Sequence, residues 1–340
     1  DIVVLHSYTI GHAPDLRRTI VHRAIISKIE PDVLTLRLRN PQHDASVFVN
    51  KPDVRWCIEH DFMESSYNGL YKGLYSLLSA TRERKDLVLM QRRPKVVKSA
   101  KLLGDYGRFN ILQQRVKDAK ELFLIIGPPG TGKTSFGLLN TLQEELLERD
   151  SRILLVAYTN RAVDEICSKL TGIVDFVRFG GYSCASGLYK ERYFESIVDE
   201  CSSYMQISDR ISQTRVFVGT TSSITTHLSL ISRYRISLCI VDEASQILEP
   251  HLLPLLTLSC QDGLPCISKF VMIGDHKQLP AVVQQSARES FVNDPLLNDI
   301  CLDDCRKSLF ERFLSRYGVD EELCYMLSHQ GRMHRDIAHF

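Results

Sequence analysis

Three stretches carry residues whose types and spacing suit work on a phosphate chain. The first runs from Gly127 to Thr134 (GPPGTGKT), fed by the apolar run Leu122–Ile126 and followed by a helical pattern, FGLLNTLQEELLE. Strand, glycine-rich loop and helix is the order a phosphate cradle requires. Gly127, Gly130 and Gly132 leave the backbone N–H groups of the loop open to phosphate oxygens. Lys133 can set a positive charge on the outer phosphates, and the Thr134 hydroxyl suits a magnesium shell. Thr131 and Ser135 complete the loop, and the helix that starts there aims its positive end at the anion. The second stretch ends an apolar run in Asp242-Glu243 (SLCIVDEASQ). A carboxylate at a strand end can support Mg²⁺, and a neighbouring Glu can take a proton from an attacking water. The third, FVMIGDHKQLPAVV, puts Asp275 and Gln278 just past another apolar run, where Gln278 can hold that water or sense the terminal phosphate.

These groups need a scaffold that brings strand ends together. From about residue 108 the chain repeats an apolar run, a loop and a helical segment. The strand candidates are Leu122–Ile126, Ile153–Ala157, Val216–Val218, Leu238–Val241 and Phe270–Ile273. They are continuous apolar runs, as in a parallel sheet covered on both faces, so the fold class is α/β with three layers. Residues 20 to 58 alternate apolar and polar between turn formers and read as a small antiparallel unit of barrel type. Tyr67, Leu70, Tyr71, Leu74 and Leu78 then mark a helix whose aromatic stripe reads as a packing face.

Hydrophobic residues make up 44% and charged residues 24% of the 340, ordinary values for a soluble globular protein. No apolar run reaches the roughly 20 residues of a membrane span. The start, Asp1-Ile-Val-Val-Leu, does not read as a signal peptide, and the chain reads as an internal piece of something longer. The net charge of +1 is unevenly spread: residues 1–100 carry net +5 and the remainder net −4. The basic excess peaks between Arg82 and Lys101, either as a solvated surface or as a stripe that tracks phosphates. None of the ten cysteines forms a CxxC pair. They read as reduced intracellular thiols, with Cys301 and Cys305 sharing one face if their segment is helical.

Read in order, FNILQQ, GPPGTGKTS, AYTNRAVDEI, VGTTSS, VDEASQ, GDHKQLPAVV and HQGRMH resemble the motif series of superfamily 1B helicases. That group includes the nuclease-helicases of Okazaki-fragment processing and the RNA helicases of nonsense-mediated decay. The likeness spans residues 108–340. Residues 56–94 resemble more loosely the barrel and stalk insertion of the nuclease-helicase branch.

The resemblance implies a RecA-like P-loop NTPase domain over residues 108–340. Before it would come a small β-barrel over 1–60 and a helical stalk with a basic linker over 61–107. It implies ATP and Mg²⁺ as ligands, with Gln113 on the adenine edge and the loop from Gly127 to Ser135 on the phosphates. Thr134 and Asp242 would hold the metal, Glu243 would be the base and Gln278 the link from the terminal phosphate to the nucleic-acid side. Arg332 would reach the γ-phosphate as an arginine finger. Thr159, Asn160, Thr220 and Thr221 would touch a single-strand backbone, with Arg92, Arg93 and Lys95 beside the channel.

Where the family usually has a Tyr packed on adenine, this chain has Gly331. The second RecA-like domain of such motors is absent from this chain, so this half is expected to bind nucleotide and turn it over slowly. The expected activity is that of a 5′-to-3′ DNA helicase acting on single strands inside the cell, in cytoplasm or nucleus, with no membrane partner. An RNA track and a nucleotide-switched binding module without motor activity remain open.

Overall fold

The computed structural model describes residues 2–11, 19–39, 42, 44–48, 52–61, 65–98, 101–181, 187–283 and 285–328. The chain divides into two compact units, Asp1–Tyr67 and Asn68–Phe340. The helices Ser65–Ser79 and Arg82–Val88, read from sequence as a separate stalk, therefore fall mostly to the larger unit.

The first unit is an antiparallel sheet of β1 (Ile2–Thr9), β2 (His22–Ile29), β3 (Leu34–Leu38) and β4 (Val54–His60), in the order β3-β2-β1-β4. β1 lies between β2 and β4, with Val3 opposite both Ala24 and His60. Among the described residues no pairing of β3 with β4 closes the sheet, so the expected barrel appears as an open four-stranded sheet.

The second unit carries β5 (Leu122–Ile126), β6 (Ile153–Ala157), β7 (Phe176–Phe179), β8 (Val216–Thr220), β9 (Ile236–Val241), β10 (Ile267–Gly274) and β11 (Cys324–Met326). Every pairing is parallel, in the order β11-β5-β10-β9-β6-β8-β7. Two apolar layers flank it. Leu122, Leu124 and Ile126 of β5 face one, and Phe123 and Ile125 face the other. This explains the unbroken apolar runs, because both faces of each pleat are buried. The helix Asn160–Leu170 shows how the outer layers dock. Thr159 caps it, and Val163, Ile166, Cys167 and Leu170 bury one face at helical spacing.

Two expectations about helices are corrected. Tyr71, Leu74 and Leu78 are 70%, 45% and 74% exposed, so the stripe is not the packing face. Leu77 instead joins the core and Gly73 lies against Pro254, where an added Cβ would sit 2.7 Å from the proline ring. Cys301 and Cys305 do not share a helix: the short helix ends at Asp299, and Cys301 has φ of 60°.

Candidate nucleotide and strand site

In a parallel sheet all strands end on one edge, and this edge collects the predicted loop, carboxylate, glutamine and strand-contact residues. The loop after β5 begins where the Gly127 N–H donates to Gly274 O of β10 at 3.0 Å. Gly130 and Gly132 take φ of 77° and 81°. A Cβ on Gly127 would lie 2.2 Å from the Lys133 side chain, and one on Gly132 would lie 2.4 Å from the Phe136 ring. The loop is thus a cradle that side chains would fill. The helix beyond opens with a wide turn, Lys133–Leu138, and runs on as Leu139–Leu146.

The Lys133 ammonium donates to Gly127 O at 2.7 Å, folding over the mouth of its own loop. Thr131 Oγ1 donates to Pro128 O at 2.8 Å and is an internal brace, while Ser135 is exposed. The Thr134 hydroxyl lies 3.5 Å from Asp242 Oδ2, which joins the cradle to the end of β9. Asp242 is buried and takes the Glu243 N–H on Oδ1 at 3.0 Å. Burial pushes its carboxyl up to about 6; the Glu243 N–H bond opposes the rise, the Glu243 carboxylate adds to it and Lys133 opposes it. Glu243 is half-buried with φ of 51°, a left-handed conformation that a non-glycine residue holds only where its surroundings impose it. After β10, buried Asp275 accepts from Gln278 Nε2 at 3.0 Å and from the Lys277 N–H at 3.0 Å, so Gln278 is oriented by Asp275.

These residues fit Mg²⁺-bound ATP. Burial disfavours the charge of the Asp242 carboxylate beyond what Lys133 offsets, so a dication beside the Thr134 hydroxyl would compensate it, and the open cradle supplies N–H groups for phosphate oxygens. Gln113 is placed differently. It is 1% exposed, donates to Phe136 O at 3.3 Å and accepts from Thr141 Oγ1 at 3.0 Å. Both ends of its amide are engaged in bracing the helix after the loop rather than offered to a base. Arg332 and Gly331 lie outside the described residues.

The strand-contact candidates sit at the neighbouring ends of β6 and β8, where Ala157 pairs with Thr220. Thr159 and Asn160 are exposed. Thr220 and Thr221 are 8% and 1% exposed. The Thr220 hydroxyl accepts from the Ser223 N–H at 3.1 Å, capping the next helix. The buried Thr221 hydroxyl has no hydrogen-bond partner among the described residues.

Arg92 and Arg93 belong to a different system. Arg92 forms a two-pronged pair with Glu121, 2.7 Å on each prong, and Arg93 bonds Asp320 and Glu322. Their donors hold the basic segment to the large unit, so the phosphate-tracking reading of these two side chains gives way to a structural one. Sequence reading also missed β7. Its Arg178 interrupts the apolar run of DFVRFGG, yet is 1% exposed and reaches Asn160 Oδ1 at 3.3 Å.

Comparison with known proteins agrees with this geometry. A family model described as an AAA domain matches residues 109–215 and 190–286, together more than half of the chain. The DNA replication ATP-dependent helicase/nuclease JHS1 of Arabidopsis thaliana is 32% identical over 302 residues, 81% of this chain and 21% of that protein. The dna2 protein of Schizosaccharomyces pombe, of the same description, is 29% identical over 70% of this chain and 17% of its own length. Human DNA2 is 29% identical over 65% and 20%. The chain therefore spans about a fifth of the length of these relatives. With its phosphate loop, Asp242-Glu243 pair and strand-end residues on one edge of a parallel sheet, the chain belongs to the AAA-domain family, within the superfamily 1B helicase group that its motif series resembles.

Proposed function

We propose that this chain supplies the first ATPase domain of a DNA helicase, binding Mg²⁺–ATP on the loop from Gly127 to Ser135 and coupling its hydrolysis to movement along single-stranded DNA. The observation that carries the reading is the Thr134–Asp242 approach at 3.5 Å beside the Gly127 and Gly132 cradle. Loop N–H groups and Lys133 hold the outer phosphates once the ammonium leaves Gly127 O. Thr134 and Asp242 are the residues that would hold Mg²⁺, which when bound neutralises charge on the β- and γ-oxygens. Glu243, fixed in its left-handed conformation beside Asp242, takes the proton from the attacking water. Gln278, steered by Asp275, lies on the same edge and relays the state of the terminal phosphate towards the ends of β6 and β8.

The DNA track follows the relatives, which are described as DNA replication helicase/nucleases. The 5′-to-3′ direction, the nuclear or other intracellular setting, and a second RecA-like domain that closes the cleft belong to the same proposal. The larger unit is then the RecA-like domain. Among the described residues no helix is long and apolar enough to cross a membrane.

Steady-state hydrolysis of Mg²⁺–ATP by the natural chain in its full length, without polymer, with single-stranded DNA and with single-stranded RNA, tests the proposal. DNA is expected to raise the rate, and Glu243→Gln to lower it by about 10²-fold or more while nucleotide still binds. Stimulation by RNA alone would move the track to RNA, and no stimulation by either polymer would remove the translocase reading.

A further inference from the structure

The end of β7 contributes to the strand-contact edge although neither its sequence nor any matched motif suggests it. Arg178, in the edge strand, is 1% exposed. Its guanidinium donates to the Tyr193 hydroxyl, lies 2.5 Å from Asp164 Oδ1, and stacks 4.7 Å from the centroid of the Tyr193 ring. Asp164 also accepts from the Tyr189 hydroxyl at 2.8 Å. The remaining arm, Nη2, donates to Asn160 Oδ1 at 3.3 Å. Above this contact runs a Gly180-Gly181 turn with φ of 74° and 79°. A Cβ on Gly181 would stand 2.7 Å from Arg178 Nη2 and 3.0 Å from Asn160 Oδ1. Only glycine lets the chain close over the pair.

An arginine is an unfavourable residue for this place on stability grounds. Its Nε is buried with no hydrogen-bond partner among the described residues. A well-packed apolar side chain is often at least as stable as a buried ion pair. What the arginine provides is polarity. A guanidinium has donors only, so the Asn160 atom facing it must be the oxygen. The amide NH₂ is then turned away from Arg178, on an exposed residue at the start of a helix with no acidic residue in its first turn. A fixed outward donor suits a phosphodiester oxygen, which only accepts.

We infer that Arg178 is a positioning residue for nucleic-acid binding: it locks the Asn160 amide with its NH₂ outward, so that Asn160 donates to the backbone phosphate of a single strand. The inference rests on the reading of this edge as the strand site, and its test separates the two.

The probe is a fluorescent oligo-dT, titrated by anisotropy against the wild-type chain and against Arg178→Lys, Asn160→Ala, their double variant and Asn160→Asp. A fluorescent ATP analogue and a thermal melt are run on each. Arg178→Lys and Asn160→Ala are each expected to weaken oligonucleotide binding about tenfold, with the double variant no weaker than either, because both remove the same bond. Affinity for the ATP analogue, measured without oligonucleotide, should stay within about twofold of wild type, since the contacts of both side chains lie at Asp164, Tyr193 and Gly181, away from the phosphate loop. Asn160→Asp keeps the oxygen towards Arg178 and replaces the donor with a negative oxygen. It should bind oligonucleotide at least as weakly as Asn160→Ala while melting no earlier than wild type.

If Arg178→Lys binds oligonucleotide normally while Asn160→Ala does not, the positioning role is overturned and the strand site stands. If Arg178→Lys weakens both ligands equally, its role is general support of the fold and the inference is also overturned. If neither Asn160 variant changes oligonucleotide binding, the strand reading of this edge fails, and the inference with it.

Discussion

Asp242 combines two demands that conflict until a ligand arrives. Its carboxyl must be buried to sit beside Thr134, and burial disfavours its charge. The folded value near 6 stands above the unfolded value of 3.8. A raised value means the native state holds the proton more tightly, so the stabilisation is complete below about pH 4 and is lost as pH rises through 6. The nucleotide-free chain should therefore lose on the order of 2 kcal/mol from this residue between pH 4 and 6, and Asp242→Asn should flatten that slope in urea unfolding. Gly132 makes a second prediction at this scale. Its φ of 81° and the Phe136 ring 2.4 Å from any added Cβ leave no room for a methyl group. Gly132→Ala should reduce stability by about 1–3 kcal/mol and weaken binding of a fluorescent ATP analogue, whereas Gly263→Ala, also at positive φ but with open space around it, should spare the nucleotide.

At the scale of elements, the strands decide which side chains meet. Leu122–Ile126 and Ile153–Ala157 keep the bounds that their apolar runs announce, because a strand buried on both faces leaves no polar position to blur its ends. β7 and β11 were not legible. An edge strand of four residues with a charged residue inside, and a three-residue strand reading Cys-Tyr-Met, carry too little pattern to be told from loop. The helix Ser65–Ser79 misled for a related reason: periodicity shows that a face exists, not which neighbour it meets, and Leu77 beside Gly73 was the face that packed. The basic linker misled because charge alone does not reveal partners. Arg92 meets Glu121, which also accepts the Lys95 N–H at 2.8 Å, and the Tyr317 hydroxyl donates to Arg92 O at 3.0 Å. Arg92→Ala should therefore lower the urea midpoint by an amount equivalent to about 1–2 kcal/mol and leave the salt dependence of oligo-dT binding unchanged. A shallower salt slope would return Arg92 to the strand channel.

Across the molecule, the placement of loop, carboxylates and glutamine on one edge of the sheet was readable from spacing, because each follows an apolar run. What spacing did not convey was the resting arrangement: Lys133 folded onto Gly127 O, Gln113 committed to Phe136 and Thr141, and Thr220 and Thr221 buried while Asn160 is exposed. These contacts describe an edge in which the phosphate-loop residues and the residues at the ends of β6 and β8 sit on one sheet, with Ser245 Oγ accepting from the Asp275 N–H at 3.3 Å between the β9 and β10 ends. The proposed coupling requires the two halves of this edge to report to each other. The measurement that tests it most directly is the affinity of the chain for fluorescent oligo-dT with and without a slowly hydrolysed ATP analogue and Mg²⁺, beside Lys133→Ala. Nucleotide is expected to shift wild-type affinity by about fivefold or more, the size of an ordinary linkage between two sites, and to leave the variant unmoved. An oligonucleotide affinity indifferent to saturating nucleotide in the wild-type chain would contradict it.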